Sequence, residues 1–181
     1  MPLTRIRRIG LPLVAAVAVS AAVAAPAIAA PGSPSGTGTF KTWSKAQAEA
    51  GFKLYKPTNV YGLPNVGHVV VTICEVTGLT KKRVVSVSYG SYVTHNLALQ
   101  QTNADQACGN GDEGTHLGTL SVHGIKAQLY GYCGLPGAPA CTATKIALWL
   151  TWKHAGVFYV ASSYNESRAR LQHFAATLKA A

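Results

Sequence analysis

The chain has 181 residues, of which 48% are hydrophobic, and 16 lysines and arginines against 6 acids give it a formal charge of +10. The roughly 140 residues from Phe40 onward are enough for one domain that buries about two-thirds of its unfolded surface. The basic side chains are scattered, with Lys81-Lys82-Arg83 their only run, which argues against the tight stripe of a nucleic-acid binder.

The first thirty residues read as a secretory signal. Arg5, Arg7 and Arg8 form a basic start, Leu11 to Ala25 is an apolar run broken only by Ser20, and Pro26 precedes the small residues Ala27-Ile28-Ala29-Ala30. Cleavage near Ala29 or Ala30 is expected, giving a secreted, extracytoplasmic protein with no transmembrane anchor after processing. An uncleaved anchor is the competing reading, because Leu11 to Ala30 matches the roughly 20 residues that span a bilayer. Removing the three signal arginines leaves 13 basic residues against 6 acids, a formal +7. Such a balance favours acidic partners: an anionic wall polymer, a lipid or an acidic protein.

Residues 31–39, Pro-Gly-Ser-Pro-Ser-Gly-Thr-Gly-Thr, read as a flexible linker, and residues 40–181 as one domain. Ser44 to Ala50 holds good helix formers and is stopped by Gly51. Phe52 to Tyr55 is a candidate strand ended by Pro57. Strands are then expected over His68–Val76, Val84–Tyr89, His95–Gln101, Thr119–His123, Ile125–Tyr132, Thr144–Trp152 and Val157–Ser162, with turns at Gly124 and at Lys153-His154-Ala155-Gly156. Ser163-Tyr164-Asn165-Glu166 fits a capping box for a last helix, whose apolar face is Leu171, Phe174, Ala175 and Leu178.

Period-two alternation sorts the strand faces. Ile146, Leu148, Leu150 and Trp152 share a side, as do Ile125, Ala127 and Leu129, then Val85, Val87 and Tyr89, then Leu97 and Leu99. These are the expected core sides. The opposite sides carry Lys126, Gln128, Tyr130 and Tyr132, then Lys145, Trp149 and Thr151, then Ser86 and Ser88, then Asn96 and Gln100. The fold class that follows is α+β: a curved antiparallel sheet of about six or seven strands, a C-terminal helix packed on one face and a short N-terminal helix.

Four cysteines in an oxidising compartment imply two disulfides. Cys133 and Cys141 flank a short loop and are expected to pair, which leaves Cys74 with Cys108. Zinc fails on spacing, since no two cysteines lie two to four residues apart. No metal or cofactor is expected. The six histidines at 68, 95, 116, 123, 154 and 173 form no metal motif, and the acids between Asp105 and Glu113 lack the alternation of a calcium loop. Ser86-Val87-Ser88-Tyr89-Gly90 lacks the first glycine of a nucleophile elbow. No catalytic residue is therefore assigned. Lys126, Tyr130, Tyr132 and Trp149 are the candidate contact surface, because aromatic rings on the polar side of a sheet commonly meet a partner. Cross-strand pairing that merely stabilises the sheet is the alternative.

In chain order the pieces form a family-like pattern: a short helix, Gly51-Phe52-Lys53-Leu54-Tyr55-Lys56-Pro57, the strand Val84–Tyr89, the strand Asn96–Gln101, Val122-His123-Gly124-Ile125 and Leu148-Trp149-Leu150-Thr151-Trp152. Over roughly residues 40 to 179 this resembles the extracytoplasmic domain found beyond the membrane segment of some bacterial anti-sigma factors, itself distantly similar to lipoprotein-carrier and sigma-regulator sheet folds. The resemblance implies a sheet with a terminal helix and carries over no functional residue. The four cysteines and the missing sigma-binding part depart from it. The expected function is a secreted, non-enzymatic binding or sensing module of unknown ligand, with a secreted hydrolase whose site is unrecognised, or a secreted inhibitor or wall-associated interaction protein, as alternatives.

Overall fold

A computed structural model describes residues 37–65, 68–74, 82–104, 114–143 and 146–181. The signal segment, the acidic stretch 105–113, Cys108 and Lys145 fall outside the described residues, as does the expected Cys74–Cys108 bridge. The elements are β1 (Thr37–Phe40), α1 (Trp43–Ala50), β2 (Tyr55–Pro57), β3 (Val69–Cys74), β4 (Lys82–Gly90), β5 (Asn96–Thr102), β6 (Thr115–Val122), β7 (Ile125–Gly131), β8 (Ala147–His154), β9 (Val157–Tyr164), α2 (Arg168–Ala176) and β10 (Leu178–Ala180). Eight strands form one antiparallel sheet in the order β1-β3-β4-β5-β9-β8-β7-β6, and β10 pairs with β2 beside it.

The sheet is thus larger than six or seven strands. Its extra member is β1, which pairs with β3 through Thr37↔Thr72 to Phe40↔Val69. Residues 37–39, linker by composition, lie in this strand. Backbone pairing with β3 supplies an order that their side chains do not advertise.

Hairpin turns set the register. His123-Gly124 and Ala155-Gly156 both have positive φ at each position (51° and 77°, 48° and 78°). That is the type I′ geometry whose twist matches flanking antiparallel strands. The expected four-residue turn at 153–156 is accordingly tighter, with Lys153 and His154 still in β8.

Both helices lie on one side of the sheet. α1 is capped by Thr42, whose Oγ1 accepts from Lys45 N, and stopped by Gly51 at φ 73°. Its Ala46 and Ala50 bury Val69, Val71 and Val85 together with Leu54. α2 lays Leu171, Phe174 and Ala175 on Val87, Leu97, Leu99, Ala127, Leu129, Leu148 and Leu150. The core sides expected from alternation are the ones observed.

Three expectations about the C-terminal region and the outer side change. β9 runs to Tyr164, hydrogen-bonded to β5 and β8, so Ser163 sits in the sheet and Ser167 caps α2 by accepting from Arg170 N. Two-sided strand pairing outweighs the capping-box match. The chain also leaves the helix at Thr177, so Leu178 packs from β10. On the outer side Asn96, Thr151, Phe158 and Val160 are buried, although Asn96 and Thr151 alternate with core residues. They lie in central strands with a neighbour on each flank, and the Asn96 amide donates to Tyr89 O at 3.0 Å.

Two inner phenols give a pH signature. Burial pushes Tyr89 and Tyr159 up to about 12, with Tyr55 beside Tyr159 adding to its shift. The raised value means that folding favours the neutral phenol. That stabilisation is complete below the unfolded value near pH 10 and is lost as pH climbs towards 12. Of the 8 tyrosines, two are expected to ionise late, together with loss of the fold. Phenolate absorbance and far-UV circular dichroism followed along one alkaline titration check this. All tyrosines ionising together below that range, with the fold intact, would contradict it.

Candidate functional site

β6, β7 and β8 carry a row of rings across the outer side of the sheet. Tyr130 is in register with Trp149, and the two rings stack with centroids 6.2 Å apart and planes 16° apart. His116 opposes Tyr130 from the other flank, edge-on at 5.3 Å, and its Nε2 lies 3.0 Å from Gln128 Oε1. Gly114 lies against the indole: a Cβ there would come within 2.6 Å of Trp149 Cη2 and Cζ2. A larger residue at 114 would have to displace the ring. Tyr130 and Trp149 are half-buried, while His116 is exposed.

The structure therefore joins Tyr130 and Trp149, adds His116 and leaves the other two candidates apart. Lys126 is exposed, pairs with Ser121, and stands four residues along β7 from Tyr130, about 13 Å at the usual strand rise. Tyr132 follows the end of β7, half-buried, with its N–H donating to Ala147 O at 3.0 Å.

His116 joins the row because of a register shift. Gly118 opposes Leu129 on the inner side, yet His116 opposes Tyr130 on the outer side, so the bulge at Leu117 changes the face of everything before it. Plain alternation from Leu120 and Val122 would have turned His116 inward.

A second cluster has no counterpart in the sequence reading. Glu166, its side chain 3% exposed, accepts from Arg170 Nη1 at 2.8 Å and lies 3.2 Å from His95 Nδ1. The Arg170 guanidinium sits 4.4 Å from the centroid of the Tyr61 ring, which also meets His173 edge-on. Asn165, at φ 58°, donates from Nδ2 to Thr94 O at 2.9 Å. Together these contacts fasten the start of α2 to the β4–β5 turn and to the 58–65 loop. The Glu–Arg spacing of four was the available signal.

The other chemical groups stay separate. Cys133 and Cys141 form the expected disulfide. Among the described residues no three His, Cys, Asp or Glu side chains gather as a metal site would require. The described acids are Glu49 and Glu166, and each meets an arginine, Arg83 or Arg170. No helix of the described residues is long and apolar enough to cross a membrane. The chain matches no protein-family model, no curated protein and no solved structure.

Proposed function

We propose that this chain is an extracytoplasmic, non-enzymatic binding or sensing module that meets its partner through the outer aromatic row. The observation that carries the reading is the contact of Trp149, Tyr130 and His116 across three adjacent strands, on the side opposite both helices. Rings that meet one another while keeping part of their surface in water form a rigid, amphipathic patch, and ordering such a patch on binding costs little side-chain entropy. The basic balance favours an acidic partner such as a wall polymer, a lipid or an acidic protein. The signal-like N-terminus and the resemblance to anti-sigma-factor extracytoplasmic domains are consistent with this reading.

The hydrolase reading would rest on His95 and Glu166, which have the spacing of a general base and the carboxylate that orients it. The side chain facing His95 Nε2 is the Asn165 amide at 3.5 Å, which is no nucleophile. The binding reading is the better supported.

Trp149→Ala is expected to weaken binding of the exported protein to the producing cell's envelope fraction by about 2 kcal/mol, or roughly 30-fold. It should cost the fold less than Leu148→Ala, its neighbour on the core side. Parallel binding isotherms and thermal melts of the two variants test both statements. Unchanged binding by a folded Trp149→Ala places the contact elsewhere. A melt as depressed as that of Leu148→Ala makes the row a purely structural device.

A further inference from the structure

The two-stranded sheet beside the main one sets two like charges face to face. Lys179 in β10 is in register with Lys56 in β2, between the pairs Leu178↔Pro57 and Ala180↔Tyr55. Directly opposed residues point to the same side of a sheet, with Cβ atoms about 4.5–5.5 Å apart. Here that is the solvent side, because Leu178 is buried and the Tyr55 ring meets Tyr159 in the core. Lys179 is exposed and Lys56 half-buried.

Like charges directly opposed work against strand pairing, and no carboxylate among the described residues relieves these two. Glu49 meets Arg83, and Glu166 meets Arg170 and His95. The end of α2 does not call for a cation either. There His173 O and Phe174 O accept from Thr177 N, and Phe174 O also accepts from Thr177 Oγ1. Lys53, the nearest lysine in sequence, is turned to the Tyr55 ring, its Nζ 5.6 Å from the centroid.

The backbone beneath the pair is nevertheless fixed from every side. The buried Gln101 amide donates to Tyr55 O and accepts from Tyr55 N, both at 2.8 Å. Thr58 N and Oγ1 donate to Thr177 O at 3.3 Å and 3.0 Å, and Ala181 N donates to Leu54 O at 3.0 Å. The two lysine stems therefore leave a rigid base at a set spacing. Holding a ligand between their ends costs the freedom of two side chains and no backbone.

Two neighbouring ammonium groups with no anion of their own are the positive half of an anion site. Lysine offers a compact point charge, which suits phosphate oxygens, whereas arginine's planar fork is the better match for a carboxylate. We infer that Lys56 and Lys179 hold a phosphate group between their ammonium ends, drawn from free phosphate or from a phosphodiester chain. Occupancy offsets the repulsion and so favours the β2–β10 pairing that keeps Leu178 on the core. The site shares no residue with the aromatic row and stands whether or not that row meets a partner.

The test compares thermal melts of the full chain at one ionic strength in chloride, in millimolar orthophosphate and in a glycerol-phosphate polymer of equal phosphate content. With phosphate at about ten times its dissociation constant, the melting temperature is expected to rise by roughly 4 °C over chloride. A rise in both phosphate arms supports a site open to free phosphate, and a rise with the polymer alone supports one that takes the phosphodiester chain. Lys56→Gln combined with Lys179→Gln should abolish the rise while circular dichroism stays unchanged. Lys179→Gln alone, at the exposed position, should reduce it and serves if the double variant is misfolded. Lys126→Gln, an exposed lysine opposite Ser121, should keep the full rise. No rise in either phosphate arm overturns the inference. An equal rise in parent and lysine variants also overturns it, because that is the general stabilisation phosphate salts give by exclusion from a protein surface.

Discussion

Phe174→Ala is expected to lower the unfolding free energy by about 3–5 kcal/mol, the range for emptying a fully buried aromatic site. Phe174 is 0% exposed and meets Tyr89 edge-on, with ring centroids 6.2 Å apart. It stands at the middle of α2, which among the described helices is the one that covers the β5, β7, β8 and β9 stretch of the core, between Leu171 and Ala175. Neither backbone of the two facing layers can move in to fill the void, because α2 is fastened at its start by Glu166 and followed directly by β10. A domain with a typical stability of about 5–15 kcal/mol would lose a large part of it. Urea denaturation followed by tryptophan fluorescence measures the change. A loss below about 1 kcal/mol would mean that α2 does not seal the core.

Arg170→Ala is expected to cost about 2 kcal/mol, and Glu166→Gln combined with it to cost less than Arg170→Ala alone. Removing the guanidinium leaves a carboxylate that is 3% exposed with His95 as its remaining partner. Stranding a buried charge is costlier than removing both members of a pair. The figure stays below the 3–5 kcal/mol of fully enclosed pairs because Arg170 is 36% exposed and water screens it. Part of the loss is the stacking of Arg170 on Tyr61, which the second substitution does not restore. Chemical denaturation of the two single variants and the double variant completes the cycle. A double variant as unstable as the sum of the singles would show that the contact contributes nothing to the fold.

The strand faces were legible because alternation is a local property. Leu148, Leu150 and Trp152 in β8 or Ala127 and Leu129 in β7 declare their side within a few residues, and the core confirms each. What stayed hidden depends on partners distant in sequence. Thr37–Phe40 is ordered by β3, and Ser163 is drawn into the sheet by β5 and β8 although the four letters from Ser163 to Glu166 spell a helix start. One result is a buried Ser163 Oγ with no hydrogen-bond partner among the described residues. The candidate surface divides in the same way. Tyr130 and Trp149 follow from parity, His116 follows only from a bulge, and Lys126 shares a face with the rings but not their place along the strand. The Glu166 cluster was hidden because His95, Glu166 and Tyr61 come from three separate segments.

The sheet order also bears on how the chain assembles. β3, β4 and β5 form one run of sequential antiparallel neighbours and β6, β7, β8 and β9 another, and the two meet only where β5 pairs with β9. Within each run the strands are close in sequence, so hairpins zip with little loop-closure entropy. The Leu99↔Ala161 seam instead joins residues from the two halves of the domain. Closing it requires both half-sheets to exist and to meet in register, which makes the seam a high-contact-order step in assembling the eight-stranded sheet. Until it closes, β5 and β9 each offer an unpaired apolar edge, and the chain's exposure to misassembly is concentrated in that interval.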